Sequence, residues 1–179
     1  MVLTQSARRS PLQVLMMALL MLLIGLGLAV PVSPQAHAAI RSFEEQPGQW
    51  LYQSRSTLQA AGGQQWQAIA YKRVTPLGAL SIQLRLVGFP GAASILRDHP
   101  LLLKQPQGET LIAQDTSATL FSESDQPEPY VGQYDLLPIV ADLRPELPLE
   151  LELATQTGEI LTLPIPAFVI QEWQDLLAA

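Results

Sequence analysis

The chain predicts a mainly β, β-rich α+β fold: antiparallel sheet, as a sandwich or a partly closed barrel, with a C-terminal helix packed on it. Three observations lead there. Leu80, Ile82, Leu84 and Leu86 alternate with Ser81, Gln83 and Arg85, the period of a strand with one wet and one buried face. Leu147, Leu149, Leu151 and Leu153 repeat the alternation against Pro148, Glu150, Glu152 and Ala154. Beyond Pro166 the spacing changes: Val169, Trp173 and Leu176 fall at i, i+4 and i+7, one helical stripe.

Trp50 to Leu58 predicts the first strand, with Leu51, Gln53, Arg55 and Thr57 opposing Tyr52, Ser54, Ser56 and Leu58. Ala61-Gly62-Gly63 supplies a hairpin turn, and Trp66 to Val74 returns as the second strand. The third begins at Gly78 and ends at Phe89-Pro90-Gly91. Leu101 to Lys104 and Thr110 to Ala113 predict two short strands joined through Pro106-Gln107-Gly108, with Thr119 to Phe121 as a further candidate. Ser122 to Pro129 is acidic and Pro-rich, a solvated loop. Tyr134 to Leu143 has helical spacing that Pro138 limits to a short helix or turn. Leu147 to Leu153 and Glu159 to Ile165 predict the last two strands, turned by Thr157-Gly158. Pro166 then suits the first turn of the helix.

The first forty residues read as an address. Arg8-Arg9 precedes an uncharged apolar run from Val14 to Val30, then Pro31, Pro34 and the triplet Ala36-His37-Ala38. These are the parts of a secretory signal peptide, so residues 1–38 are expected to be cleaved between Ala38 and Ala39. One β-rich domain, residues 39–179, remains. The run of about 17 residues also admits an uncleaved membrane anchor, and only that alternative would tether the chain. Cys is absent, which excludes a lipoprotein anchor, a disulfide framework and thiol chemistry. Residues 39–179 keep eight basic residues against sixteen acidic ones, which argues against nucleic acid as partner.

Candidate sites are sparse. His99 beside Asp98 has the residue types of a base and its orienter, but sequence neighbours rarely face one another. Glu123, Asp125 and Glu128 are weak candidates for a hard cation, and no metal or cofactor is expected. Glu150 and Glu152 share a strand face, where they read as charges that discourage edge-to-edge pairing. Trp50, Trp66 and Trp173 read first as packing, with a groove between sheet and helix as the alternative. The expected contact surface joins Phe89 to Pro100 with Tyr130 to Asp135, so that Phe89, Arg97, Asp98, His99, Tyr130, Tyr134 and Asp135 are the candidate binding residues.

Several strings add a resemblance: W-Q-A-I-A at Trp66, R-L-V-G-F-P-G at Arg85, V-G-Q-Y-D at Val131, and L-P-I-P at Leu163 with Glu172-Trp173. They resemble a cyanobacterial exported family of unknown function, domain of unknown function 3122. The resemblance covers about Ile40 to Leu177 and implies no active site. It implies a photosynthetic source, with the periplasm or the thylakoid lumen as destination. The function expected is a non-enzymatic accessory or binding protein with a protein partner at a membrane surface. A small apolar-ligand carrier with a barrel-like pocket is the alternative, and a hydrolase of unknown substrate the third.

Overall fold

The computed structural model describes residues 40–120 and 128–179. The expected leader, Glu123 and Asp125 lie outside them. Among the described residues, nine strands form two sheets, antiparallel throughout, followed by one α-helix. The strands are β1 (Arg41–Gln46), β2 (Gln49–Gln59), β3 (Gln65–Val74), β4 (Leu80–Gly88), β5 (Leu101–Lys104), β6 (Thr110–Ala113), β7 (Val131–Asp135), β8 (Leu149–Ala154) and β9 (Ile160–Ile165); the helix is α1 (Ala167–Ala178).

The large sheet has the order β1-β2-β3-β4-β7 and the small one β6-β5-β8-β9. The first four strands follow one another as hairpins because each connection is a short turn. Gly48, Gly63 and Gly78 hold positive φ there, which costs glycine little. The two sheets do not form a closed barrel among the described residues.

Alternation sets the core. Trp66, Ala68 and Ala70 of β3, Ile82, Leu84 and Leu86 of β4 and Tyr134 of β7 turn inward. Leu101, Leu103, Leu149, Leu151, Leu153, Leu163 and Ile165 of the small sheet meet them in one cluster. The helix joins that cluster through Val169, Ile170, Trp173 and Leu176. It packs on β2 and β3, where Ser54 Oγ donates to the buried Glu172 carboxylate at 2.6 Å. Lys72 Nζ donates to the carbonyls of Leu177 and Ala179, a cation placed where a helix C-terminus carries partial negative charge.

Four features differ from the sequence reading. β1 has no alternation and every residue in it is exposed; it is a strand because β2 pairs with it. Its register slips between Glu44 and Gln46, a bulge. Tyr134 and Asp135 end β7 rather than starting a helix, and the helical spacing yields only a 3-10 turn at Val140–Asp142. Thr119, placed in a candidate strand, closes a 3-10 turn at Ser117–Thr119. Glu150 and Glu152 do not guard an edge, because β8 lies between β5 and β9. Glu152 instead accepts a salt bridge from Lys104 on the adjacent strand at 2.5 Å.

Candidate functional site

The two segments on which a contact surface is expected lie beside one another, and their side chains differ in exposure. Ile95 is buried and its N–H donates to the Pro129 carbonyl at 2.7 Å. Arg97 Nη2 donates to the Glu128 carbonyl at 2.6 Å. These bonds bring residues 95–98 against 128–130. Asp98 adopts φ 61°, tolerated because Asp enters the left-handed region more readily than most residues; its N–H donates to Asp115 Oδ2. His99 is exposed and its Nδ1 donates to the Arg97 carbonyl at 3.0 Å, so the ring engages main chain. Phe89, Glu128 and Tyr130 are exposed, Asp135 is half-buried and Tyr134 lies in the core. Glu128 beside Tyr130 pushes that phenol above its usual range.

Tyr134 carries a testable consequence. Its Oη has no hydrogen-bond partner among the described residues, and burial, with Asp115 nearby, pushes the phenol far above its ordinary range. Gly132 makes room for it, since a Cβ there would lie 2.9 Å from Oη and 3.1 Å from Ile95 Cδ1. An unfolded tyrosine ionises near pH 10, so Tyr134 leaves stability whole below that value and drains it as pH rises past it. Tyr134→Phe should therefore change stability by less than about 1 kcal/mol at pH 7 and exceed the parent at alkaline pH. Urea unfolding at both pH values checks this. A large loss at neutral pH would mean the hydroxyl has a partner.

A second set of residues converges where sequence gave no motif. Paired residues on neighbouring strands share a face, so the register maps the solvent side of the large sheet. One row runs Phe43, Leu51, Arg73, Ser81. The next runs Arg41, Gln53, Tyr71, Gln83, Asp135, and the third Arg55, Ile69, Arg85, Gln133. Four of the eight basic residues in 39–179 thus stand on this one face.

Its centre is built. Tyr71 is buried and its hydroxyl donates to Gln133 Oε1 at 2.6 Å. The guanidinium groups of Arg73 and Arg85 each lie 5.5 Å from the Tyr71 ring centroid, within cation–π range. Arg85 Nη2 also donates to Gln133 Oε1 at 3.0 Å, and Gln133 Nε2 to Thr119 Oγ1 at 3.1 Å. Arg73 forks onto Glu45, Nε to Oε2 at 2.8 Å and Nη2 to Oε1 at 3.1 Å. That pairing holds the Glu45 carboxyl below its usual range and raises Arg73. Leu51 and Ile69 complete a small apolar cluster beneath these heads. Arg41 and Arg55 are exposed and take part in no ion pair among the described residues.

The sequence reading placed Arg85 on the polar side of its strand and Arg55 beside Leu51 and Gln53, and did not join them. Only strand order does so, and no local pattern encodes it.

Elsewhere, an open cleft of about 700 Å³ lies where the β2 end meets β9, lined by Leu58, Ala60, Pro148, Pro164, Ile165 and Pro166 among others, none titratable. Trp66 and Trp173 are buried in the core and Trp50 is exposed. Among the described residues no three His, Asp or Glu side chains gather as metal ligands, and no helix is long and apolar enough to cross a membrane.

A family model described as a protein of unknown function (DUF3122) matches residues 38–176. No curated protein and no solved structure matches the chain.

Proposed function

We propose a function for this chain, which belongs to the DUF3122 family of proteins of unknown function, from the open face of its large sheet. It is an exported, non-enzymatic binding protein that uses this face against a partner at a membrane-protein surface, in the periplasm or the thylakoid lumen. The carrying observation is the gathering of Arg41, Arg55, Arg73 and Arg85 on one face of a chain rich in acid. A positive patch on a negative protein orients encounter and selects partners.

The address rests on the leader, from Arg8-Arg9 through Ala36-His37-Ala38. A cyanobacterial source, part of the same proposal, admits both compartments. The surface first expected, around Phe89, His99 and Tyr130, borders the face: Val131 pairs with Val87 in its next row. That surface then serves as the rim.

A photoreactive residue at Gln53, in the middle row, tests the reading in the producing cell. An adduct with a membrane protein should form from position 53 and not from Leu77, which is fully open in the β3–β4 turn. Equal labelling from both positions, or none from 53, removes the face as the contact. A chain recovered with residues 1–38 intact and unexported removes the address.

A further inference from the structure

We propose that one end of the large sheet, the end that carries the β1–β2 and β3–β4 turns, enters the uncharged apolar surface of a lipid bilayer. The inference goes beyond the contact face and takes from the reading above only that the chain works at a membrane.

The inner face of the large sheet is one row longer than what covers it. Trp50, Val74 and Leu80 stand in register, on the side that turns Leu58, Ala70 and Leu84 into the core. The helix reaches only the row before. There Lys72, opposite Tyr52 and Ile82, donates to the carbonyls of Leu177 and Ala179. Trp50 and Leu80 are left partly open, and Leu77, in the turn between them, is 97 % exposed. Leu137, whose N–H donates to the Ile82 carbonyl at 3.2 Å, and Leu177 lie at the same end. Five of the ten large apolar side chains exposed among the described residues therefore gather here.

Charge is kept away from this end of an acidic chain. Residues 74–80, 136–141 and 176–179 contain no charged side chain. The neighbouring charges are met within the protein: Glu44 Oε1 accepts from the Gly48 N–H at 2.6 Å, Glu45 holds Arg73, and Lys72 is engaged by the helix end. An uncharged medium is the complement of such a surface.

A turn that enters lipid must also satisfy its own backbone. Pro76 has no N–H to satisfy. The Thr75 N–H donates to the Ala79 carbonyl at 3.0 Å, Gly78 N–H to the Thr75 carbonyl at 2.9 Å, and Ala79 N–H to Thr75 Oγ1 at 3.1 Å. Trp50, in the row that this turn closes, suits the headgroup level, where tryptophan is enriched.

A second copy fits less well. Each partner in a stable dimer buries about 800 Å², whereas four of these five side chains are already more than half covered. Entry into lipid by this end stands the strands upright on the membrane. The open face is then turned sideways, toward a protein in the same bilayer.

The test mixes the chain as recovered from the cell with vesicles of phosphatidylcholine, of phosphatidylglycerol, and of phosphatidylcholine with brominated acyl chains. The chain should float with phosphatidylcholine, and salt should leave that binding unchanged because no charge is engaged. Leu77→Asp, at a fully open position, should weaken it about tenfold or more with circular dichroism unchanged. Ile160→Asp, exposed on the small sheet, should leave it intact. Brominated lipid should quench Trp50, the exposed one of the three tryptophans, and Trp50→Phe should remove the quenching while binding persists. No binding to phosphatidylcholine, tighter binding to phosphatidylglycerol that salt releases, or equal binding by Leu77→Asp overturns the proposal. So does self-association abolished by Leu77→Asp, which would make the occupant a second copy. A photoreactive residue at position 77 should capture lipid; capture of protein in its place overturns the proposal too. The Gln53 adduct reports on the contact face alone, so either reading can fall while the other stands.

Discussion

Trp66→Ala is expected to lower stability by about 3–5 kcal/mol, the largest effect of any single truncation considered. Trp66 is fully buried and stands opposite Leu58 of β2 and Gly88 of β4, where the inner face of the large sheet meets the common core. Its Nε1 has no hydrogen-bond partner among the described residues, so the loss is one of packing. Trp66→Phe should therefore retain most of the stability, because it keeps an apolar ring and leaves no polar group unpaired. Urea unfolding of the two variants checks the pair. An alanine variant within 1 kcal/mol of the parent (a small fraction of the expected cost) would mean that the surroundings collapse into the space.

Gly88→Ala should produce the next largest loss, about 1–3 kcal/mol. A Cβ at this position would collide with Ala92 Cβ and lie 3.2 Å from Tyr130 Cβ and 3.3 Å from Trp66 Cη2. The cause is close approach rather than backbone freedom, which makes it separable. Ala92→Gly removes the hardest of the three contacts, so the double variant should be more stable than the sum of the two single losses. Strict additivity would show that the collision is relieved elsewhere.

The fold was legible wherever local pattern and burial agree. Leu80 to Leu86, Leu149 to Leu153 and the stripe of Val169, Trp173 and Leu176 each carry their period, and each became the element it predicts. β1 was not legible, because R-S-F-E-E-Q buries nothing and is extended only through pairing with β2. Tyr134 and Asp135 misled through spacing shared with a helix; pairing with Leu84 and Gln83 of β4 overrode it.

The arginine face follows the same logic. Arg41, Arg55, Arg73 and Arg85 lie on four different strands, so each is an ordinary wet-side residue until strand order and register bring them together. The family strings at Trp66, Arg85 and Val131 were readable from sequence because family likeness resides in residues. They lie within residues 38–176, the span that the family model matches.

The bulge in β1 also bears on how the protein behaves when it is crowded. The large sheet ends there in a strand paired on one side only, and an open edge is a template on which further chains add as amyloid-like strands. The slip between Glu44 and Gln46 interrupts that template, and the exposed Glu44 carboxylate makes a like-charged strand costly to align beside it. The slip in β1 therefore works against edge-to-edge pairing of one copy with another.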